Sequence, residues 1–563
     1  MSEYIRLKES NCKNCYKCIR HCPVKSISFS RNQAQIISDE CILCGECFLV
    51  CPQDAKFVRD DTARAKALLA GGAPVWASLA PSFAAAFPGV GIRGMRAALL
   101  RLGFAEAEET AIGATLVKKQ YEELVRAGRQ EVIITSCCPS VNLLIRRHFP
   151  ETLPCLAPVV TPLEAHCRDI LRRCPQAKTV FIGPCISKKF EAEEEGAHID
   201  CVLSFDDLRA WFAAAGITPA AEPDDAPMGR ARNFPTSGGI LKSMYCDSPD
   251  YSYLSVDGTQ NCIAALRDIA AGRLGRCFVE MSACPGSCVG GPVSGAPRRA
   301  PLRDTIAVTK YAGVQDLPVE MPAAEALERH FSPLPSAGRQ PSESELRAIL
   351  QQMGKKTPEY ELNCGSCGYN TCREKAVAIY QGKADLTMCL PFLRDKAETF
   401  SSNILKNSPN GILVLDDELR VQQINPAALR LLKIPSPADI VGDGVVRVLD
   451  PTPFVSVQQT GSSTLEQRTF LAEYNRYVEQ TIVPDKTYHL LLCILRDVTD
   501  EETTRQKKEE ISKNTVEIAD KVIDKQMRVV QEIASLLGET AAETKIALTK
   551  LKESLEKESS DHE

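Results

Sequence analysis

Apolar and polar positions alternate in three rhythms along the 563 residues. From about residue 61 to 330, short apolar runs are separated by segments of helical periodicity. The runs include Val75-Trp76-Ala77-Ser78-Leu79, Val132-Ile133-Ile134 and Thr179-Val180-Phe181-Ile182; the helical segments include Met95–Leu102 and Leu116–Ala127. The pattern predicts buried strands alternating with helices, an α/β domain. The last two runs stop directly at a cysteine motif, and strand ends are where such a sheet offers a site. Pro- and Ala-rich sequence from Ala296 to Pro341 marks a boundary. Ser342 to Lys355 predicts a helix, with Ser342 as N-cap and Glu345 three residues on. Between 400 and 500 the rhythm becomes that of alternating strands. Beyond 501 it is helical, with Ile523, Met527, Val530, Ala534, Leu537, Ala541, Thr544, Leu548, Leu551 and Leu555 in steps of four and three. That heptad seam, weakened at Gly538, suits a parallel dimer or a signalling helix; a single amphipathic helix folded back on the body is the alternative.

Composition changes this picture little. The length predicts three to five domains. With 67 Lys+Arg against 72 Asp+Glu the net charge is −5, which argues neither for nucleic acid nor for an anionic membrane surface. Ala67 to Ile92 carries no charge and is long enough for a span, but Pro74, Pro81 and Pro88 break any helix there, so a strand and a cofactor-side loop are expected. The charged start, Met1-Ser2-Glu3-Tyr4-Ile5-Arg6, has no apolar h-region, and a cytoplasmic protein without membrane insertion is expected.

The 25 cysteines matter more. In a reducing compartment clustered thiols indicate metal before disulfide. Cys12-x2-Cys15-x2-Cys18-x3-Cys22-Pro23 returns as Cys41-x2-Cys44-x2-Cys47-x3-Cys51-Pro52. This is the two-cluster ferredoxin spacing, in which the fourth cysteine of each run serves the other cluster. One 4Fe–4S cluster would take Cys12, Cys15, Cys18 and Cys51, the other Cys41, Cys44, Cys47 and Cys22; paired zinc knuckles are the lesser alternative. Cys364-x2-Cys367-x4-Cys372-x16-Cys389 fits one further 4Fe–4S cluster, with a structural zinc as the competing reading. Its spacing resembles the small iron–sulfur module of carbon-monoxide dehydrogenase/acetyl-CoA synthase subunits and some sensory proteins. Eight others (Cys155, Cys167, Cys174, Cys201, Cys246, Cys262, Cys277 and Cys493) read as small buried hydrophobes.

Three dispersed segments remain: Thr135-Ser136-Cys137-Cys138-Pro139, Pro184-Cys185-Ile186-Ser187-Lys188, and Cys284-Pro285-Gly286-Ser287-Cys288. None has a standard iron–sulfur spacing alone, so a folded scaffold would have to gather them around a buried metallocofactor. Together with Ala80-Pro81-Ser82 they resemble the active-site motifs of FeFe-hydrogenases. By that resemblance Cys138, Cys185, Cys284 and Cys288 would hold a 4Fe–4S cubane. Cys288 would also bridge to a di-iron subsite carrying carbonyl, cyanide and azadithiolate ligands, completing an H-cluster. Lys188 would donate to a cyanide, Glu191 would orient Lys188, and Cys137 would pass protons. The resemblance implies reversible dihydrogen oxidation and proton reduction.

Departures from that family are visible. Ser282 stands where catalytic members carry a methionine, and Val141 where a tryptophan often follows the first motif. In place of the usual glutamate pair the chain has Lys118-Lys119-Gln120-Tyr121, with Glu122 and Glu123 just after, so slower or rerouted proton delivery is expected. Gly411-Ile412-Leu413-Val414-Leu415-Asp416, Val421–Ala428 and the closing Tyr488–Asp497 resemble a PAS domain; His489 could ligate a haem, although a histidine in a strand is more often a packing or surface residue.

The expected organisation is multidomain α+β and α/β. A ferredoxin-like domain spans 1–60, an α/β hydrogenase large-subunit domain 61–330, an iron–sulfur module 340–396, a PAS domain 397–500 and a coiled-coil tail 501–563. The whole most resembles the sensory branch of the FeFe-hydrogenases. That resemblance implies a slow enzyme that exchanges electrons with ferredoxin or another carrier, signals through a separate kinase or phosphatase, and forms a homodimer through the tail. Two alternatives stand beside it: a metabolic ferredoxin-linked hydrogenase, and a non-enzymatic electron-transfer or scaffold protein holding only a cubane.

Overall fold

The sequence repeat near the N-terminus is also a backbone repeat. Asn14, Tyr16 and Lys25 adopt φ of 55°, 55° and 51°, and Leu43, Gly45 and Asp54, at the same offsets from their cysteines, adopt 55°, 76° and 45°. Left-handed turns at matched places fold each three-cysteine run into a cup, at a cost side chains rarely bear without compensation. Two antiparallel ribbons complete this part, Ile5–Leu7 with Lys56–Val58 and Ile27–Ser30 with Gln33–Ile36. The computed structural model describes residues 4–30, 33–221, 229–245, 248–294, 301–335, 338–537 and 541–558.

The central region is built on two parallel sheets. One has the order Glu106–Glu109, Val75–Leu79, Lys178–Gly183, Cys201–Ser204. The other has the order Ser252–Asp257, Cys277–Ser282, Val132–Ile134, with Val279 opposite Leu254 and Ile134. Parallel pairs need crossovers, and helix Ile92–Arg101 supplies one in the first sheet and Thr259–Ala270 one in the second, while Ala111–Ala127 and Pro162–Arg173 carry the chain from one sheet to the other. Coverage on both faces explains the unbroken burial of Cys277–Ser282. The chargeless stretch after Ala67 resolves into the end of helix Thr62–Ala70, the strand Val75–Leu79 and a short helix Phe83–Ala86. Among the described residues no helix is long and apolar enough to cross a membrane.

The core joins what the sequence separates. Ile19, Ile27 and Ile42 belong to one apolar cluster with Leu144, Ile145, Val279 and Met281 of the central region, and with Tyr369 and Met388 from beyond it. One compact unit therefore runs to Leu393, and a second begins at Arg394. Within the first, Ser342 caps helix Glu343–Gln352 in a reciprocal box with Glu345.

In the second unit a five-stranded antiparallel sheet has the order Val421–Ile424, Gly411–Leu415, Leu490–Asp497, Arg476–Asp485, Thr464–Leu471. Leu413, Leu415, Phe454, Val478, Ile482 and Leu495 form its core. Asn425 caps helix Pro426–Leu431, its Oδ1 accepting from the Ala428 amide at 2.9 Å. His489 lies outside the strand, at φ 55° just before Leu490, with its side chain 75% exposed and facing Asp417; that position does not suit a buried haem ligand. The tail is two helices, Thr499–Leu537 and Ala541–Glu558, where the heptad pattern predicts one. Lys552 pairs with Asp520 at 3.3 Å, so the second helix returns along the first and the seam does not run on as a single stripe. Glycine disfavours helix continuation, and Gly538 follows the first helix in sequence. The expected seam side chains Ala534, Leu537, Ala541, Thr544 and Leu555 lie outside the described residues.

Candidate metal centre

Three parallel strands deliver the dispersed motifs. Val132–Ile134 runs into Cys137 and Cys138, Lys178–Gly183 into Cys185, and Cys277–Ser282 into Cys284 and Cys288. The sites therefore meet at the carboxyl ends of two different sheets, around a cavity of about 110 Å³ that all five cysteines line together with Lys188 and Ser282. Ala80, Pro81 and Ser82 line it too, from the turn after Val75–Leu79. Consecutive left-handed residues, Gly286 at φ 77° and Ser287 at 61°, curl the third motif back on itself. Gly291 seals that loop to the second motif, since a Cβ there would stand 2.5 Å from the Pro184 carbonyl oxygen.

The walls are mostly apolar, and their few polar groups are held tightly. Lys188 Nζ donates to Glu191 Oε2 at 2.8 Å and to Thr161 Oγ1 at 3.2 Å, while Thr161 Oγ1 also donates to Glu191 Oε1. Burial alone would lower the Lys188 ammonium, but Glu191, Cys185 and Cys137 outweigh it and hold the charge in place. Burial pushes the Cys137 thiol up to about 12, and its Sγ lies 3.2 Å from the Tyr121 hydroxyl. Burial likewise raises Cys138 and Cys288. Such thiols shed their protons only to a compensating cation, which is what iron would provide. Ser82 Oγ is buried with no hydrogen-bond partner among the described residues, as a wall group awaiting a polar ligand would be. The donor set, the enclosed space and that unmet hydroxyl fit an iron cofactor held by thiolates.

Cys12, Cys15, Cys18 and Cys51 line one small cavity, and Cys22, Cys41, Cys44 and Cys47 another, each of about 20 Å³. A cleft lined by both Cys44 and Cys284 lies between the second set and the central cavity. Cys367, Cys372 and Cys389 are buried and Cys364 is exposed; Lys375 feels the first three, although burial lowers it overall. Among the described residues no three His, Cys, Asp or Glu side chains converge closely enough for a single ion.

The module around Cys364–Cys389 also sits where sequence order does not suggest. It packs against the N-terminal repeat. Lys25 Nζ donates to the carbonyls of Gly368 (3.0 Å), Arg20 (3.0 Å) and Ile19 (3.2 Å), and Lys383 pairs with Glu40 at 2.6 Å. Gly368, at φ 93°, lets its backbone approach Ile19, whose Cβ would be 3.0 Å from an added methyl.

Residues 73–292 match the family described as iron only hydrogenase large subunit, C-terminal domain. Over those residues the chain is similar to the FeFe-hydrogenases. Residues 4–52 match a 4Fe-4S dicluster domain, 361–391 a putative Fe-S cluster and 399–464 a PAS domain. The periplasmic Fe hydrogenase large subunit of Nitratidesulfovibrio vulgaris is 27% identical over 281 residues, 39% of this chain and 67% of that protein. The NADP-reducing hydrogenase subunit HndD of Solidesulfovibrio fructosivorans is 26% identical over 337 residues, 47% of this chain and 57% of its own length. A solved FeFe-hydrogenase HydA1 from Chlamydomonas reinhardtii is 20% identical with a TM-score of 0.39, covering 49% of this chain and 99% of that one.

Within this central domain the expected proton-path substitutes are engaged elsewhere. Lys118 pairs with Asp316 at 2.5 Å and donates to the Ser243 carbonyl at 2.8 Å. Glu122 accepts from the Tyr245 amide at 2.7 Å, and Glu123 is exposed. Sequence reasoning missed Tyr121 beside Cys137, although it lies in the flagged Lys118–Tyr121 segment. Glu280, two residues before Ser282 in the third motif, has its carboxyl raised by burial to about 7 while it accepts from the amides of Ile240 and Leu241. Of the eight isolated cysteines, Cys167, Cys201, Cys262, Cys277 and Cys493 are buried, Cys155 and Cys174 half-buried, and Cys246 lies outside the described residues.

Proposed function

We propose that this protein is a sensory FeFe-hydrogenase, a slow iron–sulfur oxidoreductase that interconverts dihydrogen with protons and electrons and passes the result to a signalling output. The observation that carries the reading is the cavity uniting Cys137, Cys138, Cys185, Cys284 and Cys288 with the Lys188–Glu191 pair. Cys138, Cys185, Cys284 and Cys288 would hold the cubane, and Cys288 the di-iron subsite with its carbonyl, cyanide and azadithiolate ligands. When bound, that cofactor supplies the heterolytic chemistry of dihydrogen. Lys188 presents a compact ammonium to an anionic ligand in an otherwise apolar wall, with Glu191 as its positioning residue. Cys137 holds and passes a proton at Sγ. Ser282 brings a hydroxyl into the wall where a thioether would be apolar and polarisable.

The Cys44–Cys284 cleft supports electron exchange through the Cys22, Cys41, Cys44 and Cys47 cluster, with ferredoxin or a similar carrier beyond. The module packed on that repeat ends at Cys389, one residue before helix Leu390–Asn407 leads toward the PAS strand Gly411–Leu415. Its oxidation state would reach the output segment along that helix. A separate kinase or phosphatase would read that output, with a homodimer through the tail, in the cytoplasm. The sensory assignment is tested by the turnover of matured protein together with dihydrogen-dependent phosphorylation in a reconstituted kinase or phosphatase pair. Slow turnover with a dihydrogen-dependent change is expected. Turnover matching fast hydrogenases would make it metabolic, and no turnover at all would leave an electron-transfer scaffold.

A further inference from the structure

Two of the hydrogen-bonded chains that leave the central cavity end differently. From Cys137 the chain passes to Tyr121 (3.2 Å) and Ser136 (3.0 Å), whose hydroxyl donates to the Val159 carbonyl at 2.6 Å. A carbonyl oxygen has no proton to hand on, so that chain closes inside the protein, and a proton held at Cys137 Sγ has to leave by way of the cavity that Thr110 also lines.

The other chain begins at Thr110, which also lines the cavity. Thr110 Oγ1 lies 2.8 Å from Ser78 Oγ, and Ser78 Oγ 2.8 Å from His166 Nδ1. His166 Nε2 is 3.2 Å from Glu108 Oε2, and Glu108 is clamped by Arg173 at 2.9 and 2.6 Å. Ser78 and His166 are fully buried, while the Glu108 side chain is 23% exposed. Burial would raise the Glu108 carboxyl, but the hydrogen bonds from His166 and Arg173 hold it down at about 2. Every interior member both donates and accepts, and an imidazole can take a proton at one nitrogen while releasing another from the second. A buried histidine joined to two hydroxyls and aimed at a ligand cavity is more than packing requires.

We propose that Thr110, Ser78, His166 and Glu108 form a proton relay between the cavity and solvent. Outward, a proton arriving at Thr110 Oγ1 displaces that hydroxyl's own proton to Ser78. The Ser78 proton passes to His166 Nδ1, and the Nε2 proton leaves through Glu108 to water. One proton enters and one leaves, and hydroxyl rotation with ring tautomer exchange resets the chain. Inward delivery is the reverse. The relay rests on the hydrogenase reading of the cavity, and it gives this chain a route to water where the glutamate pair is missing.

The test uses full-length matured protein and the variants Thr110→Val, Thr110→Ser and Ser78→Ala. Infrared bands of the cofactor report loading, and the rate at which they respond to a pH jump reports proton delivery independently of turnover. Thr110→Val should keep the bands and slow both that response and turnover by about tenfold or more, with Thr110→Ser restoring them. Before maturation, nitrogen-15 NMR should show Ser78→Ala moving the His166 Nδ1 resonance. Wild-type rates in Thr110→Val with the bands present would overturn the relay alone, as would failure of Thr110→Ser to restore them. Absence of bands in the parent protein would overturn the functional reading and the relay with it.

Discussion

The N-terminal repeat and the central cavity both gather thiolates, by opposite means. In the repeat three ligands of each set come from one turn of chain, placed by local left-handed residues, and only the fourth is exchanged. In the cavity the ligands span Cys138 to Cys288 and come from the ends of strands in two sheets, so each position depends on the whole domain. A locally built site tolerates distant change; a scaffold-built site transmits it. The second kind can also surround its ligand with chosen neighbours (Cys137, Lys188, Ser282), which is what reactivity needs and electron storage does not.

The largest effect that would break this comparison is Cys288→Ser. It should remove the cofactor's infrared bands and all turnover while the paramagnetic resonance of the ferredoxin-type clusters persists; loss of those clusters as well would mean that the two sites are not separable. Cys137→Ala should leave the bands and reduce turnover by about 10²- to 10⁴-fold, measured as dihydrogen evolution. Glu191→Ala strands a buried ammonium and should destabilise the central unit by about 3–5 kcal/mol in denaturant titration, with no comparable change from Glu123→Ala at the surface. Gly368→Ala should cost about 1–3 kcal/mol and loosen the module from the repeat, read as faster amide exchange around Ile19 and Lys25. The smallest effect is in acid. Because the folded state holds the Glu108 carboxyl down at about 2 from its ordinary 4.5, its stabilisation is complete above 4.5 and is lost as pH falls toward 2. Glu108→Gln should flatten that part of the stability curve.

Legibility followed the same division. The ligand exchange between the two cysteine runs follows from spacing, because local geometry dictates it. The strands ending at Cys137 and Cys185 were also visible, since buried parallel strands read as short apolar runs. Contacts of long sequence separation were hidden. Nothing in the order of segments indicates that Gly368 rests on Ile19, so that the iron–sulfur sets flanking the central domain in sequence lie together in space. The His166 chain was equally invisible, because an isolated histidine has no periodic signature. In the tail, apolar positions in a heptad suit a parallel seam and an antiparallel hairpin equally well, and the Lys552–Asp520 pair places the two helices of this chain side by side.

The central claim, that the cavity between the two sheets holds a thiolate-bound di-iron cofactor, is tested most directly by infrared spectroscopy of the matured full-length protein beside its Cys185→Ser variant. Carbonyl and cyanide bands in the parent that disappear in the variant are the predicted result. A parent protein with no such bands, its central cysteines holding a cubane alone, would contradict it.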